Sequence, residues 1–146
     1  MPIHPEFKQE IHRLLKSWKS QGRPSGENLI RSAVELGHWK DAHKIGGLWI
    51  KPPLMATATV DDGFGQGLAI IHKFAEAVGL SVHPIGLMQK PDVIIDVCRS
   101  FCPAILGLTI LQFDSEETIA YIAGHLPADR CLLLIRILPI GPVFML

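Results

Sequence analysis

The chain has 146 residues, with 14 Lys and Arg against 14 Asp and Glu, enough length for one domain with a proper core plus a short extension. Zero net charge, without a basic stripe or an acidic tail, excludes a surface that tracks phosphates, so no nucleic-acid partner is expected. A hydrophobic share of 48% and a mean hydropathy of +0.28 favour a mostly buried parallel sheet over a solvated β-sandwich.

Phe7, Ile11, Leu14, Leu15 and Trp18 recur at helical spacing among Lys8, Glu10, Arg13 and Lys16, which predicts an amphipathic helix over residues 5–20. The glycine- and proline-containing run 21–26 breaks it. A second helix is expected from Ser25, with Leu29, Ile30, Ala33 and Val34 on its buried face and Gly37 closing it after Leu36. Residues 38–47 are polar and leave a short third helix open. His38 and His43 lie there with no third ligand at a sensible spacing, so solvated or capping histidines are the default over a metal. Residues 48–53 read as an extended connector, because Pro52 and Pro53 each disfavour helix at the residue before them.

From Leu54 the pattern changes to alternating strands and helices. Strands are expected over 54–60, 80–85, 104–111 and 131–138, and helices over 66–78, from Pro91 to about Phe101, and from Asp114 to about His125. Gly79 caps the first of these helices. Pro91 suits the first turn of the second, whose buried face is Ile94, Val97, Cys98 and Phe101. Asp114 and Glu117 have capping-box spacing for the third. Short joins between such elements make a flavodoxin-like (Rossmann-like) parallel α/β sheet, preceded here by the N-terminal helical extension. The C-terminal unit is incomplete: residues 139–146 hold either a bare strand over 143–146 or the stub of a chain cut short.

Cys98, Cys102 and Cys131 are an odd set without paired spacing, so no disulfide framework is expected. Cys98 and Cys102 stand one helical turn apart in an apolar pattern and read as two buried thiols. The polar N-terminus shows no signal peptide. The most apolar run, 131–138, is too short to span a bilayer and is followed by Pro139 and Pro142. A cytoplasmic protein without a membrane partner is the expectation.

In such a sheet ligands bind beyond the carboxyl ends of the strands, which directs attention to the loops 61–67, 86–90, 111–114 and 139–142. The first reads Asp61-Asp62-Gly63-Phe64-Gly65-Gln66-Gly67; its alternate glycines let the backbone turn sharply or approach a bound group, and Gly67 falls at a helix start. A dinucleotide is disfavoured because Leu68 leaves G-x-G-x-x-G incomplete and no acid ends the second strand. A phosphoacceptor receiver is excluded because no lysine follows Lys90 and no aspartate ends the third strand. Asp61 and Asp62 are adjacent, so in extended geometry they point apart and make no acid/base pair; no nucleophile–base set has recognisable spacing either. A non-catalytic module is expected rather than an independent enzyme.

Three further features share one order: Asp62-x-Phe64-x-x-Gly67 after strand one, Thr109-x-Leu111 at the end of strand three, and Ile140-Gly141 after strand four. They resemble the Asp-x-His-x-x-Gly, Ser-x-Leu and Gly-Gly motifs of cobalamin-binding domains of the methionine synthase and methylmalonyl-CoA mutase type. The likeness runs over about 54–143 and includes the passage 75–82, Lys90-Pro91-Asp92 and Leu106-Gly107-Leu108-Thr109. It implies a helical extension and linker over 1–53 and a cobalamin-binding-like α/β domain over 54–146. The implied cofactor-binding set is Asp62, Gly63, Phe64, Gly65, Gly67, Thr109, Leu111 and Gly141, with no protein residue as metal ligand.

Two departures qualify the resemblance. The family's cobalt-ligating histidine is Phe64 here, which has no donor atom, and His72 lies more than a turn into the following helix. Ile140 replaces the first glycine of the pair and narrows the slot for the nucleotide tail. The resemblance therefore implies a corrinoid held base-on or without a protein lower ligand, on a carrier or accessory module for a separate methyltransferase or radical enzyme. The N-terminal helices would cover the cofactor or form a homodimer through Trp18 and Trp39. The alternative is a degenerate, cofactor-free interaction or assembly module on the same fold.

Overall fold

The computed structural model describes residues 3–22, 24–110, 116–126, 131–137 and 143–145, the segments 132–137 and 143–145 by their backbone. The chain divides into two compact units, one of residues 1–52 and 70–81, the other of 53–69 and 82–146.

In the first unit, α1 (Pro5–Gln21) starts with proline at its first position and Glu6 in its first turn. It stops at Gly22, whose φ of +90° only glycine adopts cheaply and whose N–H donates to the Trp18 carbonyl at 2.9 Å. α2 (Gly26–Ala42) is capped by Ser25, whose hydroxyl accepts from the Asn28 N–H at 3.2 Å. This helix runs straight through Gly37, contrary to the expected stop there. A glycine inside a helix costs about 1 kcal/mol. Packing on either side of it offsets that cost: Leu36 is buried and Trp39 stacks on Phe7 with ring centroids 5.6 Å apart. The buried face is accordingly Ala33 and Leu36, while Ile30 and Val34 are exposed.

Phe7 is fully buried against Leu36 and Ala77, with Ile11, Leu14, Leu48 and Val78 around them. Ala77 and Val78 belong to α3 (Gln66–Val78), and Phe74 of the same helix meets Trp18 edge-on at 5.8 Å. Gly79 ends α3 with φ +87°, and the Leu80 N–H reaches back to the Ala75 carbonyl at 2.9 Å. At that point the connector is clipped to the helix end: Leu48 N–H donates to the Val78 carbonyl at 2.7 Å, and Leu48 C=O accepts from His4 N–H at 2.8 Å.

The second unit holds the sheet: β1 (Leu54–Thr59), β2 (Ser81–Gly86), β3 (Ile105–Ile110), β4 (Leu132–Ile137) and β5 (Val143–Met145) in the order β2-β1-β3-β4-β5. β1 pairs parallel with β3, and β3 parallel with β4. This is the flavodoxin-like α/β arrangement expected. A strand over 143–146 is one of the two readings of the last segment; β5 forms there and pairs antiparallel with β4, placing Val143 opposite Arg136.

Period-two alternation puts Ala56 and Ala58 of β1 beside Leu106, Leu108 and Ile110 of β3. Over them lie Ile94 and Cys98 of α4 (Pro91–Phe101) and Ile122 of α5 (Glu116–His125). Met55, Thr57 and Thr59 alternate to the other face with Gly107 and Thr109. A Cβ at Gly107 would stand 2.6 Å from the Met55 terminal methyl.

Two expectations for α4 are corrected. Phe101 is exposed and stacks on His83 at 4.3 Å, because the buried stripe is Ile94, Ile95 and Cys98. Cys102 is exposed as well: it is the left-handed cap at φ +48°, past the last helical residue, so the periodicity that buries Cys98 no longer applies. Asp114 of the expected capping pair lies outside the described residues; α5 begins at Glu116 with Glu117 in its first turn.

The glycine pair at the clip gives a direct test. A Cβ at Gly79 would stand 2.5 Å from the Gly47 Cα, backbone against backbone, whereas a Cβ at Gly46 meets nothing. Gly79→Ala is expected to lower stability by about 1–3 kcal/mol in urea unfolding, while Gly46→Ala stays within about 0.5 kcal/mol.

Candidate functional site at the carboxyl edge of the sheet

β1 and β3 end side by side, with Thr59 opposite Thr109 in the register. Both are fully buried. The Thr59 hydroxyl donates to the Asp62 carbonyl and accepts from the Met88 N–H at 2.7 Å. Its own carbonyl accepts from the Gln89 N–H at 2.8 Å. One strand-end residue thereby fixes the loop after β1 to the loop after β2.

The first loop is held from inside by Asp62, which is 2% exposed. Its Oδ1 accepts from the N–H groups of Phe64 at 2.8 Å and Gly65 at 3.2 Å. This is the local side-chain-to-backbone bonding at which aspartate excels. The carboxylate is thus committed to the turn. Gly65 then takes φ +73°, where a Cβ would press to 2.9 Å from Leu87, and its carbonyl accepts from Ala69 N–H at 2.9 Å to open α3. Gly67 is buried as the second residue of that helix. At Gly63 a Cβ would stand 3.2 Å from the Met88 sulfur.

Phe64 projects from this turn and is 87% exposed. A cofactor-free turn with Phe64 as a core residue is therefore not what the chain forms. Leu87 and Met88, from the neighbouring loop, are exposed apolar side chains too. Thr109 presents the opposite anomaly. Among the described residues its hydroxyl is buried without a hydrogen-bond partner, whereas Thr59, one strand over, has both its donor and its acceptor role satisfied. The structure thus brings together Asp62, Gly63, Phe64, Gly65 and Gly67 on one loop, with Thr109 at the adjacent strand end. Leu111 and Gly141 lie outside the described residues.

Sequence reasoning missed Thr59, Leu87 and Met88. The apolar pair Leu87-Met88 inside an otherwise polar turn was the signal available. Thr59 offered none, because only the fold brings the second loop to its hydroxyl.

The three cysteines gather at the opposite, amino edge. Cys98, Cys102 and Cys131 line a cavity of about 480 Å³ with His125. Burial first, and then the neighbouring Cys131 sulfur, pushes the Cys98 thiol up to about 12, and burial also raises Cys131. Thiols so reluctant to ionise are poor nucleophiles. Among the described residues no group of three or more His, Cys, Asp or Glu is placed to hold a metal ion, and no helix is long and apolar enough to cross a membrane.

No family model and no curated protein matches the chain. Among solved structures it is similar to the crystal structure of a novel cobalamin-binding protein from Desulfitobacterium hafniense DCB-2, with a TM-score of 0.71 and 22% identity. The match covers 87% of this chain and 63% of that one, so this chain spans less than two thirds of its neighbour's length. At this identity the likeness is one of fold.

The Thr59 node generates a prediction. Thr59→Val keeps the shape but strips the Asp62 carbonyl of its donor and the Met88 N–H of its acceptor. The expected loss is about 1–3 kcal/mol in chemical denaturation, with faster amide exchange at Met88.

Proposed function

We propose that the chain binds a corrinoid at the carboxyl edge of β1 and β3 and acts as a non-catalytic carrier or accessory module for a separate methyltransferase or radical enzyme. The carrying observation is the Thr109 hydroxyl, fully buried and without a partner among the described residues at the strand end where such a ligand would enter. A buried polar group without a partner costs on the order of 1–3 kcal/mol, and a ligand that hydrogen-bonds to it removes that cost. Cobalamin binding by a protein of the same fold supports the reading.

The residues present fit the group in other respects. Gly63 and Gly65 keep the first loop free of side chains where it meets Met88 and Leu87. Asp62 locks the turn, and Phe64 offers an apolar ring in place of a ligand. When bound, the corrinoid supplies cobalt as the seat of a carried one-carbon group. The protein supplies position and water exclusion. With Phe64 in the histidine's place, residue 64 supplies no ligand, which suits a corrinoid held base-on or without a protein lower ligand; the Thr109 hydroxyl would then hold a polar group of the bound corrinoid.

The exposed cluster of Phe64, Leu87 and Met88 also suits the alternative, a cofactor-free interaction module. Incubation with hydroxocobalamin followed by gel filtration separates the two: co-elution of visible absorbance is expected, and colourless protein would favour the interaction module. Thr109→Val sharpens the test. Removing the orphaned hydroxyl should raise the stability of the ligand-free protein by about 1 kcal/mol while weakening corrinoid retention.

Phe64→His is the complementary change. At an 87% exposed position it should alter stability by no more than about 0.5 kcal/mol. In the corrinoid-loaded protein it should give an imidazole-ligated spectrum. An unchanged spectrum in a loaded, folded variant would show that residue 64 does not lie under the metal.

A further inference from the structure

We infer that Met88 is the residue that faces the metal in place of the missing histidine, its thioether sulfur serving as a lower ligand. The inference rests on the corrinoid reading and concerns which side chain completes that site. Residue 64 has no donor atom, so any protein ligand must come from the surrounding loops. Among the described residues most donors there are committed: the Thr59 hydroxyl to Asp62 and Met88, and the Asp62 Oδ1 to Phe64 and Gly65. Asp61 has an interaction of its own. The Gln89 amide folds back onto the Leu87 carbonyl at 3.0 Å. A protonated Lys90 has no lone pair to give. The Met88 sulfur belongs to a side chain that is 62% exposed.

The sulfur is also in the right place. It lies against Gly63, where a Cβ would come within 3.2 Å of it, so glycine at 63 leaves room for the thioether immediately beside residue 64. Met88 holds this position at φ +49°, a left-handed backbone that a non-glycine residue adopts at a cost. The Thr59 hydroxyl fixes it there by accepting the Met88 N–H. Met88 thus combines a left-handed backbone, an anchoring hydrogen bond and an exposed soft donor atom. Methionine already serves as an axial ligand to a macrocyclic metal in cytochromes c, and thioether sulfur has the softness for it.

The test uses the full chain labelled with selenomethionine, which places selenium at each of its four methionines. The labelled protein is loaded with hydroxocobalamin or, to remove any competing nucleotide base, with cobinamide, and selenium-edge X-ray absorption is recorded. A cobalt neighbour to selenium is expected in the parent protein and its loss in Met88→Leu. Met88→Gly suits the left-handed backbone and provides the same readout if the leucine variant fails to fold. Corrinoid that co-elutes with no cobalt neighbour to selenium in either loaded form would overturn the role of Met88 and leave the corrinoid site standing. Retention of that signal in the variants would overturn it as well. If neither corrinoid co-elutes, the proposed function itself fails.

Discussion

The carboxyl edge of this sheet depends on one hydroxyl group. Thr59 is the last residue of β1, and from its buried position it donates to one loop and accepts from another. The Asp62 carboxylate braces the first loop from inside, and the Thr59 hydroxyl ties that loop to the second. The anchor converts two flexible connections into one surface. The ordering entropy is met by hydrogen bonds made out of water's reach, where each counts for more than it would at the surface.

The pairing of Thr59 with Thr109 shows how similar residues at matching register can have opposite roles. Both are fully buried, and both sit on the face of the sheet away from α4 and α5. One has its hydrogen-bonding capacity filled by the protein and is structural. The other has none of it filled among the described residues, which is a cost to the folded chain. Such groups are few in folded proteins, and each calls for an explanation such as an ordered water, an ion or a functional role.

Much of the architecture was legible in the sequence because it is written in periodicity. Gln66–Val78 and its Gly79 cap follow from apolar spacing and one punctuating residue. Gly37 misled, since a stop signal of about 1 kcal/mol is weaker than the packing of Leu36 and Trp39 across it. Phe101 and Cys102 misled because a helical stripe fades at the last turn. The site was half legible. The identities of Asp62, Phe64 and Thr109 marked the loops. Their states could not be read: that the Asp62 carboxylate turns inward, that Phe64 stands outside the core, and that Thr109 lacks a partner all depend on neighbours distant in sequence. The loop that carries Met88 was marked, but not its left-handed backbone, which nothing local announces.

The uneven burial of the cysteines gives the molecule a practical property. Cys98 and Cys131 are enclosed and resist ionisation, while Cys102 stands exposed on the left-handed cap of α4. A thiol-reactive reagent applied to the folded protein should therefore be selective without mutagenesis. Its adduct lies at the amino edge, the far side of the sheet from the loops that Thr59 ties together. A fluorophore or surface linker attached there would report on or immobilise the protein while leaving those loops unencumbered.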